Sequence, residues 1–151
     1  MTAVTFAVRG LPQAQGSSRA FIAGGRAHIA TEGNRPGSPL GAWRTAIATE
    51  ARAAIGSQPA LEGPVSVSCD FVMRRPRSHY RANGELKASA PPWCASKPDA
   101  DKLLRALLDA ITGVVIRDDA QVASVHARKP YETPARPTGC TVTVRTLEET
   151  L

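Results

Sequence analysis

The sequence predicts a single α+β domain, sandwich-like, with a small mixed β-sheet covered by two main helices. Three observations predict it. The chain has 151 residues, the size of one ordinary domain with a real core. Two stretches repeat their apolar residues at helical spacing. The other apolar stretches alternate with a period of two, and the whole reads strand, hairpin, helix, strand, loop, helix, strand, strand.

In order along the chain, "VTFAV" places Val4, Phe6 and Val8 on one face of a first strand. "RAFIAGGRAHIAT" reads as a hairpin, because Gly24 and Gly25 tolerate the positive φ angles of a tight two-residue turn. Residues 31–39 read as a loop rich in Gly, Pro and Ser. "SPLGAWRTAIATEARAAIG" follows as a helix, with Ser38 as N-cap, Pro39 in the first helical position and Gly56 beyond the end. Leu40, Trp43, Ile47, Ala51 and Ala54 form its expected core face. In "PVSVSCDFVM", Val65, Val67, Cys69, Phe71 and Met73 share one side of a strand. Residues 74–96 show no period and read as a mobile basic loop. "DKLLRALLDAITG" is the second helix, about 18 Å long, and Gly113 stops it. "VVIRDD" reads as a short strand, and "QVASVHARKPY" and "CTVTVRTL" as two more.

Composition narrows the function classes. The apolar fraction of 42% fits a soluble globular chain. No run approaches the eighteen apolar residues of a transmembrane helix, and the N-terminus lacks the charged start and apolar core of a secretory signal. Three widely spaced cysteines, Cys69, Cys94 and Cys140, fit reduced thiols in a cytoplasmic protein better than a zinc site. The net charge of +6 points to an anionic partner, nucleic acid first. Residues 74–97 carry six basic side chains (Arg74, Arg75, Arg77, Arg81, Lys87 and Lys97) against one acid, Glu85.

Against that charge, four aspartates gather at the ends of "KPDADKLLRALLDAITGVVIRDDAQV". Asp99 and Asp101 precede the second helix, and Asp118 and Asp119 follow "VVI". If "VVIRDD" ran back along the helix, matched lengths would fold the two acidic ends together. Clustered carboxylates destabilise one another unless a cation neutralises them. Mg²⁺, held by one or two carboxylates and a substrate phosphate, suits the role beside a basic surface. Ordinary structural roles compete: an Asp before a helix is a cap, "DD" after a strand is a turn, and Asp109 fits an i+4 pair with Arg105.

The same 26 residues resemble the RusA family of Holliday junction resolvases, whose hallmark is a K/R-P/R-D-x-D-N-L-x-K segment, an apolar helix with D-A-L, and a D-D-x-Q-V ending. The resemblance implies a RusA-like fold and a small homodimer that cuts four-way DNA junctions with Mg²⁺ or Mn²⁺. By position, Asp99, Asp101 and Asp119 match the family's essential aspartates, and Asp118 matches a neighbouring acid. Asp118 and Asp119 face opposite ways on an extended strand, and the match favours Asp119 as the ligand. Two positions depart: Lys102 stands where the family has Asn, and Arg105 where it has a catalytic lysine. A guanidinium keeps the charge there but does not readily donate a proton. The resemblance also implies an origin in a phage or a bacterium.

The expectation is therefore a metal-dependent endonuclease. Asp99, Asp101 and Asp119, with Asp118, hold one or two ions, while Arg105 and Lys97 stabilise charge. Arg74, Arg75, Arg77 and Arg81, with Lys97 and Lys102, grip the DNA backbone without reading sequence. Tyr80 and Trp93 are candidates for stacking at a junction centre; His79 and His126 are weaker candidates as bases. Paired incisions need two sites, which a two-fold dimer supplies through a helix face or an edge strand. The alternatives are a metal nuclease for other branched or flapped DNA, and a non-catalytic basic DNA-binding protein.

Overall fold

A computed structural model describes residues 2–16, 19–30 and 37–148. Strand β1 (Ala3–Arg9) buries Val4, Phe6 and Val8 as the alternation requires. Strands β2 (Arg19–Ala23) and β3 (Arg26–Ala30) form the expected hairpin, with Gly24 and Gly25 at φ 59° and 75°. Most of the loop expected at 31–39, residues 31–36, lies outside the described residues.

Helix α1 (Pro39–Ile55) opens on Ser38, whose hydroxyl accepts from the Gly41 N–H at 3.0 Å. Its buried stripe is Leu40, Trp43, Ile47, Ala51 and Ile55. Ile55 takes the place expected for Ala54, because two successive steps of four from Ile47 stay on the core side and 54 turns to solvent. Strand β4 (Val65–Val72) buries Val65, Val67, Cys69 and Phe71, with Met73 just beyond.

Helix α2 (Ala100–Ile111) buries Leu103, Ala106, Leu107 and Ile111, and leaves Leu104 and Leu108 half-buried. The strand expected at "VVIRDD" does not form. The chain turns tightly instead: the Val115 N–H returns to the Ile111 carbonyl at 2.9 Å, and the Gly113 N–H to Ile116 at 2.7 Å. Val115 and Ile116 are both fully buried, so two successive side chains plug the core. A strand would have sent one of them to solvent, and that burial outweighs their β-propensity. Strands β5 (Val122–Arg128) and β6 (Gly139–Thr146) form in the last two stretches read as strands.

The sheet runs β1-β6-β4-β5. β6 is antiparallel to both its neighbours, and β5 is parallel to β4. The parallel pair needs a long crossover, which residues 73–121 supply through α2. α1 packs on β1 and α2, and α2 touches β5 only lightly. The other sheet face is small and polar, as in the 3.1 Å hydroxyl bond between Thr5 and Thr143. No described helix is long and apolar enough to cross a membrane.

Segment 74–96, expected as a mobile basic loop, contains a 3-10 turn at Arg77–His79 and a small hairpin contact between Tyr80 and Leu86. Its far end is stitched to the strand end after β5 by Cys94 N–H to Lys129 and Tyr131 N–H to Pro92, at 2.8 and 2.9 Å.

Candidate functional site

Two of the expected site residues start α2. Asp99 has the backbone conformation of an N-cap, yet its carboxylate makes no capping hydrogen bond. The carboxylate instead pairs with Lys102 Nζ at 3.8 Å, with half of its side chain in solvent. Asp101 is exposed in the first helical turn. The approach to Asp99 is pinned from β5's end, where Lys129 Nζ donates to the Ser96 and Pro98 carbonyls at 2.7 Å each.

Beside Asp99 opens a cleft of about 510 Å³, lined among others by Leu11, Met73, Lys97, Pro98 and Lys102. A second cleft of about 380 Å³ adjoins it, with Arg74, Arg75 and Lys97 in its wall. Acid and base therefore share one surface at this end of the molecule. Lys97 and Lys102 stand there as expected, and Arg105 is exposed one turn of α2 beyond Asp101.

The structure does not bring Asp118 and Asp119 to this end. The segment that returns along α2 is β5, and it begins after Asp119 instead of ending there. The twelve residues of α2 span about 18 Å and the seven of β5 about 23 Å. The two pairs of aspartates thus lie at opposite ends of both elements, which corrects the expectation from matched lengths. Among the described residues, no group of three or more His, Cys, Asp or Glu side chains is placed to hold a metal ion.

At its own end, Asp118 caps a 3-10 turn, Asp119–Gln121, accepting from the Ala120 N–H at 2.8 Å. That bond, and next the Asp119 side chain, hold the Asp118 carboxyl below its ordinary pKa. Gln121 completes a capping box: its Oε1 accepts from the Arg117 and Asp118 N–H groups at 2.7 and 3.0 Å. Its Nε2 donates to the Leu61 and Gly63 carbonyls, both at 2.9 Å. The Gln of "DDAQV" is therefore a structural latch. Asp119 is exposed.

The basic segment divides. Arg74, Arg77 and Arg81 are exposed, but Arg75, expected among the DNA-gripping arginines, is only 6% exposed. Its Nε donates to the Glu132 carbonyl at 2.9 Å and its Nη1 to Pro91 at 2.8 Å. The guanidinium sits 5.2 Å from the Tyr131 ring centre, with His79 edge-on to the same ring at 4.9 Å. Arg75 thus ties the segment to the body of the protein. Tyr80 is half-buried, whereas Trp93 is 51% exposed, with the Arg128 guanidinium 5.7 Å from its ring centre.

Other polar contacts were invisible in the sequence. Asp109, expected to pair with Arg105, accepts from buried Gln15 Nε2, whose Oε1 takes Arg44 Nη1 at 3.0 Å. Asp70 receives a bidentate bond from Arg128, both contacts 2.7 Å. This bond, opposed by partial burial and supported by the charges of Arg128, Arg136 and His126, holds the Asp70 carboxyl below its usual range. The only sequence signal was that Asp70 falls on the polar side of β4; its partner lies 58 residues away.

Two comparisons say what the chain is similar to. The chain is 24% identical over 138 residues to the uncharacterized protein YqaN of Bacillus subtilis (strain 168), covering 90% of this chain and 93% of that protein. The family described as Endodeoxyribonuclease RusA matches residues 12–145. That match spans nearly the whole chain, and with it both ends of α2 and the sheet: the chain belongs to the RusA endodeoxyribonuclease family.

Proposed function

We propose that the protein is a divalent-metal-dependent endodeoxyribonuclease that resolves four-way DNA junctions as a homodimer in the cytoplasm of a bacterial or phage-infected cell. The observation that carries the reading is Asp99, a carboxylate at a helix start that is not spent on the cap. Asp101 follows two residues later in the first turn, and Lys97 and Lys102 share the cleft with Asp99.

The carboxylates of Asp99 and Asp101 fit a hard cation such as Mg²⁺, with Mn²⁺ as substitute. When bound, the ion supplies an activated water and charge stabilisation at a phosphodiester. The chain's own residues position the DNA. Lys97, Lys102 and Arg74 attract the backbone at the clefts, and Arg77 and Arg81 extend that basic surface. Arg105 balances the charge of the carboxylates and the scissile phosphate through a guanidinium that keeps its proton.

Asp119, with Asp118, completes the ligand set only when two copies meet, because α2 separates it from Asp99 within one chain by about 18 Å. A two-fold dimer brings the partner's Asp119 to each Asp99 and provides two sites for paired incisions. The reading as a nuclease for other branched DNA shares these residues. The capping role of Asp118 is what favours the non-catalytic reading.

One experiment separates them: synthetic junctions, flaps, forks and duplex incubated with the native chain and with Asp101→Asn, with and without Mg²⁺. Junction cleavage that needs metal and Asp101 is expected. Duplex cut as fast as junctions rejects the resolvase reading, and cleavage unchanged in Asp101→Asn rejects the metal site.

A further inference from the structure

Residues 92–98 lead the chain into α2. The first of them are stitched to the stretch after β5: Cys94 donates its N–H to the Lys129 carbonyl at 2.8 Å, and Tyr131 donates to Pro92 at 2.9 Å. On the other flank of that stretch, Met73 donates to Pro130 and Glu132 to Met73, at 2.8 and 2.9 Å. Residues 129–131 are thus held from both sides. The last part of the lead-in is built differently. Among the described residues, no backbone–backbone hydrogen bond holds 95–98. Side chains hold it instead. The Cys94 thiol donates to the Ser96 carbonyl at 3.5 Å. Half-buried Lys129 donates from Nζ to the carbonyls of both Ser96 and Pro98, at 2.7 Å each.

We propose that Lys129 is a positioning residue for the nuclease reaction: its ammonium fixes residues 96–98, so that Lys97 and the Asp99 carboxylate keep their places at the cleft. The inference rests on the metal-dependent reading above and adds a residue to it. Three features point to this role.

The first is what the ammonium brackets. The two carbonyls stand on either side of Lys97, whose side chain lines both clefts. The second of them belongs to the residue before Asp99. The second feature is how the donors are spent. An ammonium has three N–H groups, and two of them are committed to the loop. Bonds from a charged donor are roughly twice as strong as neutral ones. The third is the anchor. Lys129 reaches out from backbone tied on both flanks, so the clamp starts from a fixed point. Asp99 makes no capping bond to α2, which leaves more of its placement to the residues before it. A misplacement of about 1 Å at a reacting group can cost about 10²-fold in rate.

Lys129→Met keeps most of the stem and removes the donors. Two measurements on the full chain test the role: ¹⁵N relaxation without metal, and kcat and KM on a synthetic four-way junction with Mg²⁺. The backbone order parameters of Ser96, Lys97 and Asp99 should fall from about 0.85 to below about 0.6. Loss of a group that orients a metal-binding carboxylate should lower kcat by about 10–100-fold. KM for the junction should stay within about twofold, since no contact to DNA is removed. Should Lys129→Met fail to fold, as judged by circular dichroism, the same measurements on Lys129→Gln decide. A raised KM with unchanged kcat places Lys129 on the DNA and overturns the role. So does a lowered kcat with the order parameters of the native chain. A Lys129→Met chain with native kcat rejects the role and leaves the proposed function standing. A native chain that cuts no junction rejects the proposed function and the role in it, whatever the order parameters show of the clamp.

Discussion

Replacing Arg75 with Ala separates a structural arginine from a DNA-binding one. The side chain is 6% exposed and donates to two carbonyls, of Glu132 and Pro91. Truncation leaves both acceptors short of a partner, at about 1–3 kcal/mol each where water does not reach them. It also removes the cation–π contact with Tyr131, about 0.5–1 kcal/mol. Both carbonyls lie in partly buried surroundings, so water recovers part of the loss, and about 3 kcal/mol is the expected net. For a chain of this size that lowers Tm by about 6–12 °C. Arg75→Lys should fall most of the way too, since an ammonium does not reproduce the guanidinium fork. The assay is a thermal melt beside a junction-binding titration, with Arg74→Ala as comparison. Arg74→Ala should weaken binding and leave Tm within about 1 °C, as exposed substitutions usually do. An Arg75→Ala protein that melts with the native chain and loses binding as Arg74→Ala does would refute the structural assignment.

Further outcomes follow from other contacts. Gln121→Ala loses four hydrogen bonds, two of them to solvent-facing N–H groups that water can satisfy, so urea denaturation should show a loss of about 2 kcal/mol; a loss under about 0.5 kcal/mol would mean that the latch holds nothing. Asp70 has a depressed pKa through its Arg128 bond. Its stabilisation is therefore present above the unfolded value of about 3.9 and is lost as pH falls through the folded value. Melts between pH 5 and 2 should lose stability less steeply in Asp70→Asn than in the native chain, and parallel curves would contradict this. Burial pushes the Cys69 and Cys140 thiols up to about 12, so a thiol reagent at pH 8 should label them only on unfolding; rapid labelling of the folded chain would show that the inner sheet face is open.

The amino-acid sequence by itself determined the elements and the end of the molecule that carries the first two acids. Period-two and period-3.6 burial are local properties, so β1, α1, β4, α2 and β6 could be read from neighbouring residues, and the β-forming residues of "VASV" marked β5. The Gly24–Gly25 turn and the Ser38 cap are local chemistry as well. Asp99 and Asp101 owe their position at the start of α2 to the same local signals. Tertiary structure alone decided the rest, because it depends on partners far along the chain. "VVI" has strand chemistry in isolation, but the space beneath Leu61 takes Val115 and Ile116 together, and Leu61 donates its N–H to Val115 at 2.7 Å. Arg75 looks like its exposed neighbours until Glu132 and Pro91 close around it. The two pairs of aspartates look adjacent by length, yet the chain spends "VVIRDD" on a turn and uses β5 for the return. Their separation is a property of the packed chain, set by contacts between residues far apart in the sequence.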